Sequence, residues 1–146
     1  MEESEKFHWA DQAADMVIKE KGKKNLYACA SGISPSGDIH IGNFREVITT
    51  DLVVKALRKK GCKVKFIYSW DDFDRFRKTP ANIKINLDKY IGMPLSKIPD
   101  PFKCHKSYAE HFEKEFETNI KPFNFDLNFI SQSKRYINCT YANEIK

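Results

Sequence analysis

Between Pro35 and Asn43 the sequence reads PSGDIHIGN, and this short run carries most of the chain's chemical potential. Ser34 and Ser36 supply hydroxyls that donate and accept, and Pro35 stiffens the turn between them. Gly32 and Gly37 are expected to let the backbone take positive φ and approach a ligand closely. His40 and Asn43 are expected on the first turn of a helix, where unpaired N–H groups and the helix dipole favour an anion. An imidazole placed there donates a hydrogen bond to a phosphate oxygen without needing a full positive charge. Gly42 leaves a bare stretch of helix backbone against which a flat ring such as adenine can lie. Taken singly, each of these residues is explained as well by a helix capped by Ser36 or Asp38, with His40 exposed beside it. The nine-residue combination after an apolar strand and before a helix is much more specific than an isolated glycine pattern, and it implies a phosphate cradle.

The elements that must position this loop follow from periodicity. Residues 5–21 predict an amphipathic helix with Ala10, Ala13, Ala14, Val17 and Ile18 on one face and Gly22 as a stop; Trp9 is expected to pack it onto the body of the domain. Leu26 to Ala30 is a short apolar run, as in a parallel strand covered on both faces. Residues 40–60 predict the clearest helix, with Ile41, Phe44, Ile48, Leu52 and Ala56 as an apolar stripe and basic residues in its last turn. VKFIYSW at 64–70 predicts a second strand, completing a βαβ unit. Residues 71–104, broken by prolines, predict an irregular insertion with at most short helices around 83–90. A helix over 106–120 follows, with Tyr108, Phe112, Phe116 and Ile120 on one face and Pro122 closing it, then a third strand at 125–131 and a helix over 134–146. The order implies an α/β fold, a three-stranded parallel sheet with flanking helices that forms half of a doubly wound, Rossmann-like domain. Ligands in such sheets gather at the carboxyl ends of the strands, where the loops at 31–39 and 71–78 both fall.

Composition sets the frame. With 146 residues, 41% of them hydrophobic and 13% aromatic, the chain is long enough for one domain with a real core. A net charge of +5 suits an anionic partner such as a nucleotide or RNA, and is equally compatible with solubility alone. Cys29, Cys62, Cys104 and Cys139 stand far apart without a C-x-x-C pair. No structural zinc is therefore expected, and the Cys104–His105 pair, lacking further ligands, is assigned a structural part, with His105 beginning or capping the next helix. Unpaired thiols, the absence of a signal-peptide pattern and the absence of a membrane-length apolar run imply a cytoplasmic protein with no membrane partner.

The loop also resembles the first signature of class I aminoacyl-tRNA synthetases. More narrowly, His40-Ile41-Gly42-Asn43 resembles the HIGN form of that signature in class I lysyl-tRNA synthetase, and the likeness continues through ASGISPSGDIHIGNFREV, SWDDFDRFRK and PLSKIPDPFKCHKSYAEHF. The resemblance implies a HUP-type catalytic domain, of which residues 1–146 would be the N-terminal half, with the insertion at about 71–104. It implies a lysine–tRNA ligase that forms lysyl-adenylate from lysine and ATP, with Mg2+ accompanying ATP, and passes lysine to tRNA(Lys). His40 and Asn43 would be catalytic. Pro35, Ser36, Gly37, His40, Gly42 and Asn43 would hold ATP, and Gly32, Ser34 and Asp72 would lie at lysine. Asp71, Asp72 and Asp74 keep two readings: ligands for an ammonium group or nucleotide, or, with Asp74 paired to Arg75, Arg77 or Lys78, a means of ordering the loop. Met93 to Lys97 differs from the second signature, K-M-S-K-S, by preceding the third strand. A glutamyl- or glutaminyl-tRNA synthetase relative is disfavoured because Ala30-Ser31-Gly32 carries no arginine for an acidic substrate. A shortened nucleotide- or RNA-binding module without ligase activity is the other alternative, because no K-M-S-K-S occurs in the 146 residues. The chain by itself is expected to be an N-terminal fragment that does not complete the reaction, and it is expected to self-associate through an open sheet edge.

Overall fold

Helix α1 (Trp9–Lys21) opens the described part of the chain, which in the computed structural model runs over residues 8–145. Residues 5–7 of the expected helix lie outside it. The His8 ring accepts from the Ala10 N–H at 3.3 Å, and Gly22, at φ +66°, ends the helix by donating to the Ile18 carbonyl. Ala10 and Ala14 are buried against Ala56 and Leu57, two small side chains that let the helices approach closely. Trp9 does not anchor this contact: it is 46% exposed and lies beside His8 at the free end of the helix.

Strand β1 (Tyr27–Ile33) runs three residues further than expected, so Ser31, Gly32 and Ile33 belong to the sheet. It pairs in parallel with β2 (Val64–Trp70), Tyr27 opposite Val64 and Ile33 opposite Trp70. Strand β3 (Asn128–Ser131) pairs in parallel on the other side of β2, giving the order β1-β2-β3. The expected positive φ at Gly32 and Gly37 is not found; Gly22, Gly61 and Gly92 take it instead. Gly32 is needed for a different reason. A Cβ there would lie 2.3 Å from the Ser69 carbonyl oxygen across the sheet, so only glycine fits.

Helix α2 (Ile41–Lys59) crosses back over the sheet. Its buried face is Val47, Asp51, Val54, Ala56 and Leu57; of the stripe expected from spacing, Ala56 is buried, Phe44 and Leu52 are half-buried against the cores, and Ile41 is 81% exposed. The shift arises because α2 is covered on two sides. Val47 and Val54 meet the sheet with Phe66, Tyr68 and Trp70, while Ala56 and Leu57 meet α1. Asp51 is buried on this helix and pairs with Lys55 at 2.7 Å.

After β2 the chain makes two single 3-10 turns, Asp88–Tyr90 and Leu95–Lys97, and one antiparallel bridge between Arg75 and Pro94. Although irregular, the insertion has its own core of Phe76, Ile83, Leu87, Leu95 and Ile98 packed against Tyr108, Ala109 and Phe112. Those last three begin α3 (Tyr108–Ile120), capped by Ser107, whose hydroxyl accepts from the Glu110 N–H at 3.1 Å. His105 is therefore not the cap. Further along, Phe116 and Ile120 enter the sheet core, with the Phe116 ring stacked on Tyr68 at 5.3 Å. Helix α4 (Gln132–Ile137) is six residues long, much shorter than expected, and turns follow it.

Candidate functional site

The start of α2 lies at the carboxyl end of the sheet, and its first turn is closed by its own side chains. His40 is the N-cap, its Nδ1 accepting from the Gly42 N–H at 3.1 Å, and Asn43 Oδ1 accepts from the His40 N–H at 3.0 Å. His40 thus does the capping expected of Ser36 or Asp38. Because Nδ1 accepts, the neutral ring carries its proton on Nε2, and that N–H is the donor presented outward. Gly42 lies beneath the ring: a Cβ there would meet His40 Cε1 at 2.9 Å. A larger residue at 42 would tilt the imidazole and break the cap.

The loop before this helix is tied at three points, two to the insertion and one to the start of α3. Ser34 Oγ donates to Asp74 in a short bond, Asn82 Nδ2 donates to Asp38 Oδ2 at 2.5 Å, and the Tyr108 hydroxyl donates to the Ser36 carbonyl at 2.8 Å. Pro35 is buried beneath the turn, which the Ser36 N–H closes onto the Ser34 carbonyl at 2.8 Å. Pro35 therefore shapes the loop from below. Burial, followed by the nearby Asp38 charge, pushes the Tyr108 phenol well above its ordinary value, so it stays a donor.

Between loop and insertion lies a cavity of about 470 Å3 whose polar lining includes Ser34, Ser36, Gly37, Arg75, Arg77 and Lys78. Asp74 bonds to Ser34 and not to its basic neighbours, and among the described residues Arg75, Arg77 and Lys78 carry no ion pair. The insertion side therefore sets Arg75, Arg77 and Lys78 against the Asp74 carboxylate, and the loop side offers hydroxyl and N–H donors beside Asp38. His40, Gly42 and Asn43 stand outside this cavity's lining, on the helix end beyond it.

The three aspartates part company. Asp72 is 3% exposed and fully engaged: Oδ2 accepts from the Ser131 and Ser133 hydroxyls at 2.7 and 2.6 Å, and Oδ1 from the Ser133 N–H at 2.7 Å. It ties the end of β2 to the β3–α4 turn and offers no open face to a ligand. Asp71 lines a second cavity of about 550 Å3 with Gln132, Tyr136, Tyr141 and Phe73, and Asp74 lines both this cavity and the first. Desolvation, offset in part by the Ser69 hydroxyl and reinforced by Asp74 and Asp72, raises the Asp71 carboxyl above its usual range. Close by in charge terms, Glu113 is pushed up to about 7, first by burial and then by Asp72 and Glu117, and its Oε1 is buried without a partner among the described residues.

Cys104 and His105 are not a lone pair. Asp100, Cys104, His105 and His111 bring one ligand atom each within 4.8 Å of one another, with Cys104 Sγ 3.1 Å from His105 Nδ1 and 3.2 Å from His111 Nδ1. This corrects the expectation that the Cys104–His105 pair lacks further ligand-type neighbours. An S, N, N, O donor set at this spacing suits tetrahedral Zn2+. Burial works against the Asp100 carboxylate, but donors from Phe102, His105 and Cys104 outweigh it and hold its pKa below the usual range. The Phe102 ring stacks on His111 at 4.4 Å and fixes its plane. The signal was present in the sequence as D-x3-C-H-x5-H, but only the fold shows that the first turn of α3 returns His111 to Cys104.

The family model described as tRNA synthetases class I (K) matches residues 7–146. Similar proteins named lysine–tRNA ligase come from Pyrococcus horikoshii, 48% identical over 139 residues, Treponema pallidum, 49% over 141, and Borreliella burgdorferi, 50% over 141. Each match takes in 95% of this chain and 27% of the relative, so the chain spans about a quarter of the length of the relatives it matches.

Proposed function

The chain belongs to the class I (K) tRNA synthetases, and from that premise we propose that it supplies the ATP- and lysine-holding part of a lysine–tRNA ligase. The observation that carries the proposal is the first turn of α2: a capped helix N-terminus at the carboxyl end of a parallel sheet, presenting His40 Nε2–H and the Asn43 side chain together. His40 and Asn43 steady the phosphates of ATP, which arrives with Mg2+; Gly42 serves the nucleotide by leaving room for the His40 ring that lies over it, and Ser36 and Gly37, shaped by Pro35, line the approach. Ser34 and the Gly32 end of β1 lie toward lysine. Asp72 serves that subsite from behind, by holding the strand end from which Asp71 and Asp74 project, and these two carboxylates suit the substrate's ammonium groups.

The lysine carboxylate attacks the α-phosphorus of ATP in line, forming the mixed anhydride lysyl-adenylate and releasing pyrophosphate. A hydroxyl at the 3′ end of tRNA(Lys) then takes the lysyl group and releases AMP. No protein nucleophile is required; positioning and charge stabilisation do the work. The four free thiols support action in a reducing cytoplasm, and among the described residues no helix is long and apolar enough to cross a membrane. Without a K-M-S-K-S segment among the 146 residues, the chain on its own binds its substrates but does not complete the reaction; the alternative of a binding module without ligase chemistry rests on the same absence. Calorimetric titration with a lysyl-adenylate analogue and its glutamyl counterpart tests the assignment: tighter binding of the lysyl compound is expected, and preference for the glutamyl one overturns it. Lysine-dependent ATP–pyrophosphate exchange by this chain alone would refute the inactivity.

A second proposal rests on the four-donor group. Asp100, Cys104, His105 and His111 hold a structural Zn2+ that fixes where α3 begins. Elemental analysis of the purified chain should find about one zinc per chain, falling to none in His111→Ala. Zinc-free protein with unchanged melting would refute it.

A further inference from the structure

Tyr108 lies on the first turn of α3, and its hydroxyl reaches back 72 positions in sequence to the loop before α2. Its ring is fully buried, edge-on to Phe76 at 5.4 Å and tilted against Phe112 at 4.9 Å, so the hydroxyl has little freedom to move. The acceptor is the Ser36 carbonyl, half of the peptide unit whose other half is the Gly37 N–H. That N–H meets no acceptor among the described residues, and Gly37 lines the cavity between loop and insertion. A hydrogen bond accepted at a carbonyl polarises the amide and makes the N–H of the same unit a stronger donor. The bond also sets the plane of that unit, and so the direction in which the N–H points.

We propose that Tyr108 is a positioning residue that orients and polarises the Ser36–Gly37 peptide so that the Gly37 N–H is presented to a phosphate oxygen of the nucleotide. The inference rests on the nucleotide-holding role given above to this loop. The start of α3 and the insertion both become working parts of the nucleotide site, since the other two ties, Ser34 to Asp74 and Asn82 to Asp38, bracket the same peptide. Both of those ties use exposed side chains and compete with water, whereas the Tyr108 bond is part-buried. Of the three, the Tyr108 bond is the one that holds the peptide plane against solvent.

The test uses the full chain, labelled with 15N, as wild type, Tyr108→Phe and Phe112→Leu, each titrated with Mg·ATP. Tyr108→Phe removes one oxygen and keeps the ring; Phe112→Leu disturbs the same core and keeps the hydroxyl. Expected are a displaced Gly37 amide resonance and about three- to tenfold weaker ATP binding in Tyr108→Phe, with neither change in Phe112→Leu. Unchanged affinity in Tyr108→Phe overturns the inference and leaves the nucleotide role of the loop intact, whether or not the Gly37 resonance moves. Equal weakening in both variants overturns it too, by assigning the effect to packing. If ATP moves no amide between residues 36 and 43 in the wild type, the nucleotide role itself fails and the inference falls with it. Should Tyr108→Phe fail to fold, Asn82→Ala supplies the second measurement: a smaller displacement at Gly37 with weaker ATP binding supports the bracketing, and no change refutes it.

Discussion

The start of α2 takes its geometry from regular structure: a 19-residue helix, a parallel pair of strands below it, and a cap made by residues within the same turn. The insertion between β2 and α3 has almost no regular hydrogen bonding, yet it buries eight core residues with part of α3 and gathers four metal-type donors at one end. The first region holds its functional atoms by backbone repetition and needs few contacts from elsewhere. The second holds its atoms by side-chain packing and ligand-like clustering, and each missing contact should be felt across the whole segment. Irregular chain can therefore be as well specified as a helix, provided a core and a cluster replace the missing ladder.

That contrast can be attacked from either side. Phe116→Ala removes a ring stacked on Tyr68 and edge-on to Trp70 in the sheet core and should cost about 3–5 kcal/mol in chemical denaturation. The loss should be the same with and without zinc; a zinc-dependent loss would show that the two regions are not separately held. Next in size, His111→Ala or chelation should remove the stabilisation given by zinc, about 2.7 kcal/mol at a zinc concentration one hundred times the dissociation constant. Hydrogen exchange should quicken over 71–112 while α2 is spared; uniform quickening would erase the distinction. Asn43→Ala should cost about 1 kcal/mol by opening the cap, with exchange quickened at the first turn of α2. An unchanged first turn would mean that the helix end is held from elsewhere.

The smallest expected effect concerns pH. Because the folded-state pKa of Glu113 is raised to about 7, the folded chain binds a proton that the unfolded chain has lost above about 4.5. Stability contributed at this site therefore falls as pH rises between those values and is lowest above 7. Glu113→Gln should stabilise the chain at pH 8 by about 1 kcal/mol, after allowance for the partial exposure of the group, with the gain shrinking toward pH 4.5. A gain that does not depend on pH would point to packing instead.

The same contrast explains what could be read from the sequence. Strand β2 and the buried face of α3 followed from apolar spacing, because the two cores that α3 joins lie along one side of it and a single stripe serves both. The stripe on α2 did not, since that helix is covered by α1 and the sheet together and local periodicity cannot weigh two partners. The extension of β1 through Gly32 was hidden because glycine suggests a turn until the close approach of Ser69 is seen. At the site, His40 and Asn43 were legible as residues but not as each other's cap. Asp71, Asp72 and Asp74 kept two readings because sequence alone does not tell which of three nearby carboxylates turns inward to Ser131 and Ser133. The four-donor group was missed because its members span twelve positions and only the turn at the head of α3 closes the circle.

Helix α3 gives its first turn and a half to the core of the insertion and its last two turns to the core of the sheet, along one continuous line of aromatic and aliphatic side chains. A single rigid rod that is a member of both cores leaves no hinge between them. The insertion cannot swing as a lid over the loop, and heat should melt both parts together in one calorimetric transition once zinc is present.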